Sequence, residues 1–265
     1  MCFAFDAHPP DLPADLVRHP PIAGGAGAEI VELTSADGTA FSAALAEAPE
    51  AEGGPGVVIL PDVRGLYRFY VELAERFAQV GHAAIAMDYF GRTAGTGERG
   101  EDFDFWPHVE KTRVTQVQAD ADAARAALAE RTGATSFVTV GFCFGGAQSF
   151  HAATSPALLL DGVVGFYGRL SGGRAGMPPV LDHVGEIRCP VLGLFGGADE
   201  AIPPSDVDTF DRLLDEAGVE HEVVVYPGAP HSFFDRKYEE YEGACADAWR
   251  RVIEFLQKVG AARAA

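Results

Sequence analysis

From residue 56 onward, continuously apolar runs alternate with stretches of helical periodicity, and this alternation constrains the fold more than any other feature of the sequence. Because the runs are apolar on both faces, we expect a mostly parallel sheet that is covered by helices on both sides. The predicted fold class is therefore α/β. The predicted strands are GVVIL (56–60), HAAIAMDYF (82–90), SFVTVGF (136–142), GVVGFYG (162–168), PVLGLFG (190–196) and HEVVVY (221–226).

The stretches between these runs have the spacing of amphipathic helices. Apolar residues from Val114 to Leu128 recur at intervals of three and four, and Gly133 stands where a helix of this length would be capped. Four further helices are predicted in YVELAERFAQVG (70–81), FGGAQSFHAAT (144–154), SDVDTFDRLLDEAG (205–218) and the segment ending WRRVIEFLQKV (249–259).

The segment before this alternation differs in composition. Residues 1–27 are rich in proline, glycine and alanine, which predicts an irregular N-terminal arm. EIVELTSADGTAFSAALAEA (29–48) predicts two short strands with a turn at Asp37-Gly38. Since no internal repeat or long linker interrupts the remainder, residues 28–265 are predicted to form a single domain.

Charge and composition exclude several classes of partner. The formal net charge of −19 disfavours nucleic acid and anionic membranes, because like charges repel. The cysteines lack CxxC spacing, the histidines lack HExxH and HxH patterns, and no nucleotide-binding glycine motif occurs, so neither metal nor cofactor is predicted. Without a signal-peptide pattern or a long apolar segment, we expect a cytoplasmic protein, a monomer or a small homo-oligomer, with a small-molecule substrate.

GFCFGG (141–146) follows one predicted strand directly and opens a predicted helix. The spacing is that of a nucleophile elbow, with Cys143 at the nucleophile position. Gly141 and Gly145 would remove side chains where the two backbones meet. A thiol at this helix N-terminus would be favoured as thiolate, although a buried, inert cysteine is the alternative.

Two further candidate residues follow later strands in the order that an elbow requires. Asp199 comes just after the run at 190–196, and His231 comes just after the run at 221–226. A thiol is mostly protonated at neutral pH, so a histidine must accept its proton, and an aspartate would orient that histidine. Either residue alone could be an ordinary loop residue, but three coincident placements predict a catalytic triad.

With GFCFGG, GGADEAIP and YPGAPHSFF in this order, residues 28 to 258 resemble the dienelactone hydrolase family of α/β hydrolases. The resemblance implies an α/β-hydrolase fold and hydrolysis of an enol lactone or an ester. It also implies that Cys143 is the nucleophile, His231 the general base and acid, and Asp199 the orienting acid.

Residues around the nucleophile extend this prediction. An α/β-hydrolase elbow implies an oxyanion hole made by the backbone N–H groups of Phe144 and Val63. The resemblance further implies an acid that contacts the resting thiol, and Asp62 in LPDVRG stands at the matching position. A turn or helix-cap role for Asp62 is equally compatible with the sequence.

Arginines are implied as ligands of a substrate carboxylate in the same family. Arg92 in DYFGR matches the first arginine, whereas Asp235 occupies the place of the second and Arg236 follows it. Arg64 is a further cation near the expected cleft. A surface ion pair is the alternative for all three arginines, and it is the favoured interpretation for Arg64 and Arg236.

Aromatic side chains near these loops could line an apolar pocket. Tyr89 and Phe234 are the two candidates for substrate contact, and Phe90, Phe103, Phe105, Trp106 and Phe144 lie in the same loops. About half of such residues are expected to be core residues.

The sequence leaves two other functions open. A carboxylesterase of broad specificity would result if the carboxylate site is incomplete. A hydrolase fold without catalysis would serve as a binding module, because fold alone does not determine function. A peptidase is disfavoured, since a thiolate leaves a tetrahedral intermediate more readily than an amine does.

Overall fold

The structure is a computed structural model that describes residues 6–19, 27–48, 54–97, 99–173, 177–235 and 237–264. Its described strands form one sheet of eight, in the order β1-β2-β4-β3-β5-β6-β7-β8. β2 is antiparallel to β1 and to β4, and every other pair is parallel. The strands are β1 (Glu29–Thr34), β2 (Ala40–Ala46), β3 (Gly56–Leu60), β4 (Ala84–Met87), β5 (Phe137–Phe142), β6 (Gly162–Phe166), β7 (Val191–Gly196) and β8 (His221–Tyr226).

Helices connect the parallel strands, as the alternating sequence predicts. In the described part of the chain they are α1 (Arg68–Gln79), α2 (Gly91–Ala94), α3 (Trp106–Val109), α4 (Val114–Thr132), α5 (Phe144–Ala152), α6 (Pro204–Ala217) and α7 (Glu242–Ala264). Short 3-10 helices lie at Val180–Glu186 and Tyr238–Glu240. The α/β fold class is confirmed, with one sheet surrounded by helices.

Both faces of the inner strands β3 to β7 are buried, which explains why these strands are continuously apolar. In β3, Val57 and Ile59 belong to the core that contains α1 residues, whereas Val58 and Leu60 belong to the core that contains α4 residues. Phe77 of α1 and Trp249 of α7 pack edge to face with ring centroids 5.3 Å apart. The carboxyl ends of the parallel strands therefore lie at one edge of the sheet, between the buried cores that cover its two faces.

The helix cap and the hairpin turn predicted from the sequence occur at the expected residues. α4 ends at Gly133, whose φ of 73° is left-handed and whose N–H donates to the Ala129 carbonyl at 2.8 Å. The β1–β2 hairpin turns at Gly38, with φ of 83°. α1 begins at Arg68, two residues before the predicted start at Tyr70. The short helices α2 and α3 and the two 3-10 helices lack a sequence period and were not predicted.

The described part of the N-terminal arm, residues 6–19, contains neither helix nor strand. Leu12 and Leu16 pack against the main core. Trp249 of α7 donates its indole N–H to the Pro10 carbonyl at 3.2 Å. This stretch therefore lies along the domain, between α1 and α7.

Candidate functional site

The turn between β5 and α5 places Cys143 at the carboxyl edge of the sheet. Its backbone has φ of 53° and ψ of −109°, a conformation that few non-glycine residues adopt. A Cβ at Gly141 would lie 1.9 Å from the Gly145 carbonyl oxygen, and one at Gly145 would lie 2.0 Å from that of Leu60. Only glycine allows this turn, which presents the thiol above the sheet.

The loops after β7 and β8 bring two more predicted residues to this thiol. The Nε2 atom of His231 lies 3.1 Å from Cys143 Sγ, and its Nδ1 lies 2.6 Å from Asp199 Oδ2. The Asp199 side chain has no exposed area, whereas that of His231 is 26% exposed. Asp199 Oδ1 also accepts the Ala201 N–H at 2.8 Å, which holds the carboxylate in place. The structure thus brings Cys143, His231 and Asp199 together in one hydrogen-bonded line.

The thiols described by the structure differ in their surroundings. Cys189 and Cys245 are buried, and burial raises the pKa of each thiol to about 12. Cys143 is partly exposed, lies at the N-terminus of α5 and has a histidine nitrogen as partner. Of these thiols, only Cys143 has an environment suited to nucleophilic chemistry.

Val63 and Phe144, the two predicted oxyanion-hole residues, both line the pocket into which Cys143 opens. Among the described residues, neither backbone N–H donates to another main-chain group. Phe144 is the first residue of α5, where helical N–H groups have no partner within the helix. Both N–H groups therefore belong to residues of the pocket wall and could donate hydrogen bonds to an oxyanion.

Asp62 and Arg64 belong to a buried ion cluster rather than to the open pocket. Arg64 Nε lies 3.0 Å from both Asp62 carboxylate oxygens, and its Nη2 also contacts the Asp235 carboxylate. The guanidinium is fully buried and lies over the Tyr67 ring at 3.9 Å. Burial alone would lower the pKa of Arg64, but the two carboxylates raise it above its ordinary value. The expectation of a surface ion pair for Arg64 is thus wrong, because its neighbour Asp62 and the sequence-distant Asp235 enclose it in the interior.

Arg92, one of the predicted ligands of a substrate carboxylate, does not line the pocket. Arg92 Nε donates to Asp37 at 2.7 Å, and Nη2 donates to Asp120 at 2.8 Å. These carboxylates lie on the β1–β2 turn and on α4, so Arg92 points to that side and does not line the pocket. Arg236 lies outside the described residues.

Tyr89 and Phe234 are core residues, which corrects their predicted contact with substrate. Tyr89 is buried and donates its hydroxyl to the Pro61 carbonyl at 2.8 Å. Phe234 is fully buried and packs on Phe166 with ring centroids 4.7 Å apart. Neither residue lines the pocket, whose aromatic lining residues are Trp106, Phe144 and Tyr167.

The pocket is a cavity of about 280 Å³ with mostly apolar walls. It contains two charged or titratable residues that the sequence analysis missed, His151 and Arg169. Burial lowers the pKa of His151 to about 4, and its Nε2 lies 3.1 Å from the Pro178 carbonyl oxygen. Arg169 comes shortly after β6, so its place beyond the carboxyl end of a strand was a signal that could have identified it.

One group of side chains outside this pocket offers three ligand atoms of the kind that bind metal. Within the described ranges, Asp211, Asp215 and His221 have these atoms within 4.8 Å of one another. His221 Nε2 lies 3.2 Å from Asp211, and its Nδ1 donates to the Val219 carbonyl at 2.7 Å. A surface ion pair accounts for these contacts.

None of the described helices combines the length and the apolar character that a bilayer-spanning segment needs.

Known proteins have sequences similar to this one over most of its length. Residues 41–260 match the sequence model of the Dienelactone hydrolase family. A protein of Methylorubrum extorquens named "Putative carboxymethylenebutenolidase" is 31% identical over 222 residues, which cover 80% of this chain and 75% of that protein. A Salmonella typhimurium protein of the same name is 32% identical over 225 residues, which cover 80% of this chain and 81% of that protein.

Solved structures share the fold. The crystal structure titled "Putative Dienelactone Hydrolase" from Klebsiella pneumoniae superposes with a TM-score of 0.74 at 30% identity, covering 86% of this chain and 99% of that chain. A Mycobacterium tuberculosis puromycin-hydrolyzing peptidase has a TM-score of 0.69 at 20% identity, covering 91% of this chain and 41% of that chain. At that identity the likeness shows the fold alone.

Proposed function

This chain belongs to the dienelactone hydrolase family, and on that premise we propose that it hydrolyses a lactone or an activated carboxylic ester through a thioester on Cys143. The observation that carries the proposal is the hydrogen-bonded line from Cys143 through His231 to Asp199, with distances of 3.1 Å and 2.6 Å. A nucleophile, a base and an orienting acid in this order are what acyl transfer requires.

In the first half-reaction, His231 Nε2 takes the thiol proton as Cys143 Sγ attacks the ester carbonyl carbon. The C–S bond forms, and the carbonyl oxygen becomes an oxyanion. This oxyanion accepts hydrogen bonds from the backbone N–H groups of Val63 and Phe144. The intermediate then expels the alkoxide, which takes the proton from His231 as the C–O bond breaks. Asp199 keeps Nδ1 protonated throughout and stabilises the imidazolium.

In the second half-reaction, water attacks the thioester carbonyl while His231 accepts one of its protons. The C–S bond breaks, the thiolate regains the proton and the carboxylic acid leaves. Thiolate is a better leaving group than an amine, so an amide substrate would revert from the intermediate more often than it would react. The chemistry therefore favours lactones and activated esters.

Asp62 remains the proposed modulator of the thiol. Its carboxylate is paired with Arg64, which also pairs with Asp235, so two negative charges share one positive charge. This compensation would weaken the repulsion between Asp62 and a Cys143 thiolate compared with an unpaired carboxylate.

Hydrolysis of a p-nitrophenyl ester and of a dienelactone by the wild type and Cys143→Ala tests the proposal. We expect the variant to lose kcat/KM by at least about 10⁴-fold, because the nucleophile is gone. Mass spectrometry of the quenched wild type should detect an acyl group on the peptide that contains Cys143. As a matched control, Cys189→Ala removes a thiol elsewhere and should retain turnover.

A carboxylesterase of broad specificity is the second candidate, and the position of Arg92 favours it. Arg92, which the resemblance implies as the first ligand of a substrate carboxylate, is paired with Asp37 and Asp120 and does not line the pocket. Turnover of the neutral ester without turnover of dienelactone would select this candidate. Absence of turnover on both substrates would contradict the proposed hydrolase and favour a binding module.

A further inference from the structure

The charged side chains that line the pocket differ in sign from the chain as a whole. Among the described residues that line the cavity, Arg169 is the only arginine or lysine, and no aspartate or glutamate lines it. This is unusual for a chain whose formal net charge is −19. The same cavity contains Cys143 and His231, so the cation and the reacting atoms face a common space.

Arg169 also differs from the other described arginines near the site, because no carboxylate in the described part of the chain pairs with it. Arg64 is enclosed by two aspartates, and Arg92 is paired with two others. For Arg169, no ion pair or side-chain hydrogen bond occurs with any residue in the described part of the chain, and the residue is exposed. Its guanidinium is therefore available to a ligand.

The Arg169 guanidinium lies beside Gly172, three residues further along the same loop. A Cβ built at Gly172, which also lines the cavity, would lie 3.7 Å from the Arg169 Nη2 atom. Ser171, between them, donates its hydroxyl to the Asp206 carboxylate, which anchors this loop to the first turn of α6. The guanidinium thus lies along a segment of the cavity wall that the Ser171–Asp206 hydrogen bond anchors.

We propose that Arg169 determines substrate specificity by binding a carboxylate carried by the ester or lactone. A guanidinium stays charged at every physiological pH and presents a planar set of donors that matches a carboxylate. The apolar walls would accept the remainder of the acyl or alcohol group. This inference rests on the proposed ester hydrolysis at Cys143, but the anion site itself can be tested without turnover.

Alkylation of Cys143 provides that test. Iodoacetate and iodoacetamide react with the same thiolate, differ mainly in charge, and can be followed by mass spectrometry of the peptide that contains Cys143. The measured quantity is the ratio of the iodoacetate rate to the iodoacetamide rate. We expect Arg169→Gln to lower this ratio by about fivefold, the upper range for an exposed charge pair, and Arg169→Glu to lower it further.

Two variants keep this test specific. Arg169→Lys retains the charge and should recover most of the ratio. Arg188→Gln removes the same charge from another exposed arginine that does not line the cavity, and the ratio should stay at the wild-type value. Higher ionic strength should reduce the difference in this rate ratio between wild type and Arg169→Gln, because salt screens the attraction between an exposed cation and an anion.

Ester hydrolysis then tests the role in specificity. p-Nitrophenyl hemiglutarate and its methyl ester share an acyl chain and a leaving group but differ in one carboxylate. Arg169→Gln should lower kcat/KM for the hemiglutarate by about fivefold relative to the methyl ester, with uncatalysed hydrolysis subtracted. The effect should lie mainly in KM, because the carboxylate is distant from the bond that breaks.

The outcomes separate the two proposals. An alkylation ratio that is the same in wild type and Arg169→Gln overturns the anion site, as does an equal loss of kcat/KM for both esters. If the wild type hydrolyses neither ester, the proposed function fails. A ratio that still falls in Arg169→Gln would then support the anion site in a protein with another activity.

Discussion

The two walls of the pocket are built differently. One wall, which we call the catalytic wall, carries Cys143 and His231 of the proposed triad with the buried Asp199 behind them, and these polar side chains bond to one another. On the substrate wall, formed by His151 and Arg169, the histidine instead contacts a main-chain carbonyl and the arginine is open to ligands. The hydrogen bonds thus hold the side chains of the proposed triad in place, whereas no side-chain hydrogen bond among the described residues holds Arg169.

A second network supports the catalytic wall from behind. Asp235 lies four residues after His231 in the same loop, and Arg64 follows Val63 directly. The Arg64–Asp235 ion pair therefore joins the loop of the proposed base to the loop of a proposed oxyanion donor. No comparable side-chain network within the described residues joins His151 to Arg169. Changes on the catalytic side should cost activity or stability, whereas changes on the substrate side should alter preference or pH response.

The largest effect is expected for His231→Gln. The substitution removes the proton acceptor, and kcat/KM for a p-nitrophenyl ester should fall by about 10⁴-fold, with little change in the free energy of unfolding. The control is His221→Gln, which changes a histidine far from the pocket lining and should keep wild-type turnover. Comparable losses in both variants would contradict the assignment of His231.

Arg64→Met should have the largest effect on stability. It leaves Asp62 and Asp235 buried without a counter-charge, and breaking a buried pair in this way costs about 3–5 kcal/mol. Chemical denaturation measures the free energy of unfolding. Addition of Asp62→Asn and Asp235→Asn to this variant should restore part of the loss. A loss below about 1 kcal/mol in the single variant would show that the cluster does not stabilise the catalytic wall.

His151 should make stability depend on pH. Burial lowers its pKa from 6.5 to about 4, so the unfolded chain binds a proton in this range that the folded chain does not. The contribution is present above pH 6.5 and is lost as the pH falls toward 4. Between pH 7 and pH 5 we expect a loss of about 2 kcal/mol from this group.

Urea denaturation at both pH values, with wild type and His151→Gln, measures this contribution. Glutamine retains a donor for the Pro178 carbonyl but does not titrate, so the variant should lose less stability at the lower pH. An identical pH dependence in the two proteins would exclude His151 as its source.

The smallest effect on turnover is expected for Arg92→Gln. Arg92 joins the exposed Asp37 to the buried Asp120 outside both walls, so turnover should not change, whereas the free energy of unfolding should fall by about 1–3 kcal/mol because Asp120 loses its counter-charge. The preference between hemiglutarate and its methyl ester should not change, unlike in Arg169→Gln. A selective loss of hemiglutarate turnover in Arg92→Gln would move the anion site away from Arg169.

Much of the fold and the core of the site follow from local sequence. Apolar runs separated by amphipathic helices allow few arrangements other than a mostly parallel covered sheet, which the structure has. Gly141 and Gly145 predict the elbow because a Cβ at either position would overlap backbone. The order of Cys143, Asp199 and His231 after successive strands predicted their meeting, since parallel strands end at one edge.

Only the tertiary structure determined which residues the arginines contact. Arg64 and Asp235 are 171 residues apart in sequence, yet they form one buried pair. Arg92 lies near the motifs but turns to Asp120, whereas Arg169, which no motif marks, opens into the pocket. Backbone sterics and hydrophobic periodicity act between near neighbours and can be read from the chain. Charge pairing depends on which distant loops meet, so it is determined only when the sheet has brought them together.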